Sequence, residues 1–319
     1  MALNSGGMPY VFAGTGIERS VARRNDREWL AAALTATATR FVPMLGGWNV
    51  VTQSSDNPHA ILLDAMESRP LIAAAEYTIL LGEFDGRACF ALALTDDADI
   101  PYGERSDLRQ IGMLMPDTEL ALLGYARALV HWNREHSFCS RCGSPTEMTQ
   151  AGHQRSCQRC KALHFPRLDP AIIVLVTNSE YCLLGRQASW APKRYATLAG
   201  FVEPGENLEA AVRREVLEET NVRVSRIDYQ ASQPWPFPRS LMLGFRAEAE
   251  TTEIVCRDGE LEHAAWFSRD DIARQVNGGQ LLLSPSRSIS YRLIRDWFDE
   301  ESGRSFATLR YTDPFLLSR

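Results

Sequence analysis

The chain has 319 residues, enough for about two domains at roughly 150 residues each, with 45% hydrophobic and 23% charged residues. This is globular composition and excludes a disordered or fibrous protein. Forty acidic against 34 basic residues leave a net charge of −6, which disfavours a general nucleic-acid binder but leaves room for a local basic patch.

In chain order, the opening MALNSGGMPYVF lacks the charged start and apolar core of a signal peptide, so the expectation is a soluble, cytoplasmic protein. Residues 1–133 carry no catalytic motif. Strand-like pieces at Ala60–Leu63, Tyr77–Leu81 and Ala88–Leu94 alternate with turn signals such as Phe84-Asp85-Gly86. A helix is expected from about Asp117 to Asn133, its apolar face formed by Leu120, Leu123, Ala126, Leu129, Val130 and Trp132. The reading is an α+β domain whose task the residues do not identify.

Residues 134–167 hold two Cys-x2-Cys pairs, Cys139 with Cys142 and Cys157 with Cys160. Two such knuckles can bring four thiolates around one Zn²⁺. Gly143 follows the first pair, where a knuckle needs a tight turn. A redox pair would need a single Cys-x2-Cys. His136, His153 and His164 could also be read as ligands, but four cysteines already complete a closed site, which holds structure and performs no chemistry. Cys89, Cys182 and Cys256 read as small core residues. Arg134, Arg141, Arg155, Arg159, Lys161 and Arg167 outnumber Glu135 and Glu147 here. That excess suits either a phosphate contact or a solvated charged face.

From residue 168 to about 300 the pattern looks βαβ-like. It begins with a strand at Ala171–Val176, a turn at Asn178-Ser179 and a strand at Tyr181–Leu184. The run Ala171–Val176 is the best apolar stretch and falls well short of the roughly 18 residues of a membrane span, so no membrane partner is expected. Leu208, Ala211, Val212 and Val216 recur at helical spacing and predict a helix over about 207–220. On it, Glu219 lies about 40° from Glu215 around the axis and Glu218 about 60° the other way. Three carboxylates on one face repel one another. A hard divalent cation such as Mg²⁺ or Mn²⁺ would offset that repulsion; a solvated acidic face is the plain alternative. Residues 301–319 form a polar tail that turns apolar over Tyr311–Leu317.

Gly200, Glu206, Arg214, Glu215, Val216, Glu218, Glu219 and Val222 fit the Nudix box G-x5-E-x7-R-E-U-x-E-E-x-G-U, with U aliphatic. Asn221 stands where the box has glycine, and Asn is the best non-glycine residue for a left-handed helix end. About ten residues on, Ser232-Gln-Pro-Trp-Pro-Phe-Pro-Arg-Ser240 resembles the SQPWPFPxS signature of the NADH pyrophosphatase subfamily. Alone, such a segment could be a polyproline ligand. With the cysteines in order, Phe165-Pro166-Arg167, Asp169-Pro170, Leu198–Phe201 and Glu260–Phe267, the resemblance covers about residues 109–300.

The resemblance implies a Nudix α/β/α sandwich with a mixed sheet, preceded by a zinc ribbon and an N-terminal α+β Nudix-like domain. It implies metal-dependent hydrolysis of NAD(H) to NMN(H) and AMP, and removal of NAD caps from RNA, which members of the family can do. A non-catalytic nucleotide-sensing module is the alternative. By resemblance, Glu215, Glu219, Glu260 and the Ala199 carbonyl hold Mg²⁺ or Mn²⁺, with Glu218 beside them and Arg214 orienting a box carboxylate. A box glutamate or Glu260, following the Asp258-Gly259 turn, is the base. Phe201 and Trp235 resemble the family's ring-stacking residues, and Gln233, Pro234, Pro236, Phe237, Pro238, Arg239 and Ser240 its pocket. Phe165 matches an aromatic contact from the second subunit of a homodimer; Arg109 and Ser290 match further substrate contacts. Core packing for the aromatics and a surface ion pair for Arg109 remain open at this point.

Overall fold

The computed structural model describes residues 10–13, 16–54, 56–100, 103–257, 259–301 and 303–312. Asp258 of the expected turn, and the tail from residue 313 on, lie outside them. The chain forms two compact units, one of Val11–Leu168 with Trp235–Arg239, the other of Met1–Tyr10, Asp169–Pro234 and Ser240–Arg319.

The first unit holds a six-stranded mixed sheet in the order Ile17–Glu18, Tyr77–Phe84, Arg87–Leu94, Arg40–Leu45, Trp48–Val51, Glu104–Ser106. Strand alternation divides its side chains between two cores. Val42, Met44, Ala91 and Ala93 pack with Leu120, Leu123, Ala126 and Val130 of the helix Asp117–Glu135. Phe41, Leu45, Phe90 and Leu92 face the other way, toward Leu71 and Trp29. The expected strands at 77–81 and 88–94 are present and longer. Ala60–Leu63 is corrected: it makes only isolated bridges, Ala60 to Val51 and Leu63 to Phe41. The ribbon adds a three-stranded sheet of Thr146–Thr149, Gln154–Cys157 and Leu163–His164.

In the second unit the sheet runs Val224–Trp235, Ser240–Ala249, Asp169–Asn178, Tyr181–Arg186, His263–Ser268, with Leu198–Phe201 also pairing Asp169–Asn178. The βαβ-like expectation is corrected here. Asp169–Asn178 and Tyr181–Arg186 form an antiparallel hairpin, because the two-residue gap leaves no room for a crossover. The parallel partner is Ser240–Ala249. Asp169–Asn178 is buried on both faces, which makes it a continuous apolar run. Ile172, Val174 and Val176 pack on Ala211, Val212 and Val216 of the helix Leu208–Thr220. Ile173 and Leu175 pack on Ile272, Ile294 and Trp297 from the opposite layer. The result is the α/β/α sandwich. Phe306 of the tail is buried in that second core, against Tyr291 and Phe298.

Candidate active site

The box helix spans Leu208–Thr220, close to the expected range. Asn207 caps it by accepting from the Ala210 N–H at 2.8 Å. Asn221 ends it at φ 63°, in the left-handed conformation that its place in the box requires.

Glu215 and Glu219 point inward, 9% and 3% exposed, while Glu218 lies on the solvent side of the same helix. Arg214 ties this set together. It donates to Glu206 at 2.7 and 2.9 Å, Glu215 at 2.9 Å, Glu218 at 3.0 Å and the Phe201 carbonyl at 2.8 Å. A single guanidinium fork thus joins the loop after Leu198–Phe201 to the helix, as its planar donor array allows. The Arg214 hydrogen bonds hold the Glu206 carboxyl down at about 2. Burial pushes Glu215 up, Arg214 opposes it, and the charges of Glu218 and Glu260 add to the rise. Glu260 is itself exposed.

Leu198–Phe201 lies antiparallel to the central strand with Ile172 opposite Gly200 and Ile173 opposite Ala199. The Glu215 carboxylate occupies the space a side chain at 200 would take: a Cβ there would lie 2.0 Å from its carboxylate carbon. The box glycine therefore makes room for a box carboxylate. Phe201, next in the strand, is 58% exposed.

The signature segment divides between the two units. In the second unit Gln233, 1% exposed, accepts from the Ile289 N–H at 2.8 Å and donates to the Arg287 carbonyl at 3.0 Å. Its amide braces the fold. Ser240 opens a strand opposite Asp169, and Pro234 lies near the end of Val224–Trp235. In the first unit, Trp235 and Phe237 are partly buried against its core, Pro236 is buried and Pro238 exposed. Arg239 pairs with Glu135 at 2.5 Å. Arg109 makes the ion pair with Asp107, at 2.6 Å, and also stands 5.5 Å over the Phe237 ring. The Ser290 side chain is buried among Thr197 and Ser284 hydroxyls at 2.9 and 3.1 Å.

In the ribbon, the sulfur atoms of Cys139, Cys142, Cys157 and Cys160 lie within 4.8 Å of one another. Two pairs stand 3.6 and 3.5 Å apart, near the roughly 3.8 Å edge of a tetrahedron built from 2.3 Å zinc–sulfur bonds. The knuckles repeat one design. Cys139 N bonds Ser144 O at 2.8 Å and Cys157 N bonds Ala162 O at 2.9 Å, with Gly143 and Lys161 at matching left-handed positions, φ 70° and 59°. Hydrogen bonds from the Ser144 backbone and hydroxyl draw the Cys142 thiol down to about 6, toward the thiolate that metal binding uses. The residues fit a closed structural zinc. Of the three histidines, His153 is buried and bonded to the Leu80 carbonyl at 2.7 Å, and none belongs to the cluster.

The basic excess shrinks in the fold. Arg134 pairs with Glu76 at 2.6 Å. Arg155, 4% exposed, bonds the Thr146 hydroxyl and carbonyl at 2.7 and 2.9 Å and Asn133 at 3.2 Å. Arg141, Arg159, Lys161 and Arg167 stay exposed, beside the exposed apolar Phe138, Leu163, Phe165 and Leu168. Two residues were missed by sequence reasoning. Arg155 carried no signal separating it from its solvated neighbours. Arg127, which donates to the Pro236 and Gly47 carbonyls, did carry one, a cation between Ala126 and Leu129 on the apolar helix.

Known proteins match most of this chain. Three family models match in tandem: an NADH pyrophosphatase-like rudimentary NUDIX domain over residues 26–132, an NADH pyrophosphatase zinc ribbon domain over 134–165 and a NUDIX domain over 167–284. The NAD-capped RNA hydrolase NudC of Pseudomonas putida is 39% identical over 287 residues, 86% of this chain and 96% of that protein. Proteins of the same name from Stutzerimonas stutzeri and Deinococcus radiodurans are 40% and 42% identical, each over 76% of this chain and over 87% and 82% of their own length. With its modules in the family's order and its length matched at this identity, the chain belongs to the zinc-ribbon-containing NADH pyrophosphatase family of Nudix hydrolases.

Proposed function

We propose that the chain hydrolyses the pyrophosphate bond of NAD(H), giving NMN(H) and AMP, and removes NAD caps from RNA. The observation that carries this reading is the Arg214 hub, which holds Glu206, Glu215 and Glu218 beneath the Gly200 strand. A non-catalytic nucleotide sensor would have no use for a complete, braced carboxylate set. The division into residues 1–133, 134–167, 168–300 and 301–319 goes with this reading, supported by the spans of the three family models.

Glu215, Glu219, Glu260 and the Ala199 carbonyl would hold Mg²⁺ or Mn²⁺, since all are hard oxygen donors. When bound, the metal neutralises charge on the diphosphate and makes water a better nucleophile. Arg214 fixes Glu215 and Glu218 so that they need not reorganise during the reaction. Water attacks one phosphorus, the P–O bond to the bridging oxygen breaks, and a proton passes from the water to one of the carboxylates Glu215, Glu218, Glu219 or Glu260.

Phe201 and Trp235 serve as stacking residues for the nicotinamide ring, with Phe165 supplied by a second subunit. The exposure of Phe201 and Phe165, 58% and 60%, supports that role. Pro234, Pro236, Phe237, Pro238, Arg239 and Ser240 serve as pocket residues, and Gln233, Arg109 and Ser290 as further substrate contacts. A homodimer would cover the apolar ribbon residues, and light scattering measures it. Among the described residues no helix is long and apolar enough to cross a membrane. Chromatography after incubation with NADH and Mg²⁺ tests the reaction. NMNH and AMP in equal amounts are expected, and nicotinamide with ADP-ribose, or no cleavage, would contradict it.

A further inference from the structure

The turn Trp235–Arg239 folds with the N-terminal unit, and its chemistry explains why it needs an anchor there. Pro236 and Pro238 have no N–H, so the segment cannot hold itself by a ladder. The long helix Asp117–Glu135 offers one stripe to it, because positions 124, 127 and 135 fall within about 80° around the axis. At Gly124 a Cβ would come 2.6 Å from the Phe12 ring and 3.3 Å from Pro236. Phe12 then meets Trp235 and Phe237 edge-on, with centroids 6.2 and 5.6 Å apart. One turn along, Arg127 donates Nε to the Pro236 carbonyl at 3.2 Å and Nη1 to the Gly47 carbonyl, with its guanidinium 5.4 Å over Phe237. Glu135 closes the stripe on Arg239 at 2.5 Å.

We propose that Arg127 is a positioning residue for ring recognition: it fixes the Trp235–Phe237 turn and through it sets the preference for the nicotinamide ring. The inference rests on the assignment of Trp235 to ring binding made above. Arg127 spends its donors on backbone carbonyls and its face on an aromatic ring, a combination that lysine cannot reproduce.

The test uses the full-length, zinc-loaded protein with Arg127→Gln and Arg127→Lys. Hydrogen exchange is followed at the Phe237 and Arg239 amides, and steady-state kinetics are measured with NADH and with ADP-ribose, which lacks the nicotinamide. Arg127→Gln should speed exchange in the turn about tenfold and raise the NADH KM about tenfold, the scale of one lost charged hydrogen bond. Its kcat should stay within about twofold and the ADP-ribose KM unchanged, since those do not depend on the turn. Arg127→Lys should fall between Arg127→Gln and the wild type. Unchanged exchange in the turn, or a general rise across Val11–Leu168, overturns the anchoring role. Faster exchange with an unchanged NADH KM overturns the link to specificity. A wild type that fails to cleave NADH would overturn the functional reading and the specificity link with it, while the exchange result still decides the anchoring.

Discussion

Glu215 lies so close against Gly200 that a Cβ added at Gly200 would meet its carboxylate carbon at 2.0 Å. Residues thirteen and fifteen places apart in the box are therefore one packing unit, with Arg214 closing it through Glu215 and the Phe201 carbonyl. Gly200→Ala should displace the carboxylate from its seat and lower kcat by about two orders of magnitude, the scale of one lost preorganised group. Circular dichroism should stay native. Wild-type kcat in the alanine variant would show that the carboxylate relaxes harmlessly.

Asn221 holds a left-handed helix end at φ 63°. Asn221→Ala should cost about 1 kcal/mol, the penalty for a Cβ in that conformation, whereas Asn221→Gly should keep stability within about 0.5 kcal/mol. Urea midpoints of the two variants check this, and equal losses would remove the backbone explanation.

The two ribbon knuckles carry Gly143 and Lys161 at the same left-handed position. A Cβ at Gly143 meets nothing within 4 Å, so Gly143→Ala should lose about 1–2 kcal/mol from backbone strain alone. Cys157, fully buried, should matter more. Cys157→Ser should lose the zinc and impair folding first, with activity falling as a consequence. Metal analysis and thermal melts read both. A Cys157→Ser protein that retains one tightly held zinc would contradict the four-cysteine site.

Burial holds the His153 ring down at about 4 while it bonds the Leu80 carbonyl. An unfolded histidine titrates near 6.5. The folded state thus binds fewer protons between these values, so this contribution is present above about pH 6.5 and is lost as pH falls toward 4. The slope is about 1.4 kcal/mol per pH unit within that window. His153→Gln keeps a donor and removes the titration, so its stability should fall less between pH 7 and 5 than that of the wild type. Parallel curves would sink the assignment.

The box helix, its left-handed end at Asn221 and the zinc cysteines were legible because their signals are local: helical spacing, a left-handed Asn, paired knuckles. The strands Arg40–Leu45 and Trp48–Val51 were missed. Pro43 and Gly46-Gly47 read as breakers until the pairing with Arg87–Leu94 and the turn are seen. Arg155 and Gln233 read as surface or pocket residues, yet their hydrogen bonds run to residues up to 56 positions away. No window of sequence contains such partners. The same distance hides the home of Trp235–Arg239 in the N-terminal unit. Its motif was legible and its anchor was not.

The central claim is that inward-facing box carboxylates carry pyrophosphate hydrolysis, and Glu219, 3% exposed, is the deepest of them. Turnover of NADH at saturating Mg²⁺ by the wild type and by Glu219→Gln, with matched circular dichroism and zinc content, tests it most directly. The account predicts a kcat lower by roughly two orders of magnitude or more in the variant. Equal turnover in a folded Glu219→Gln protein would contradict it.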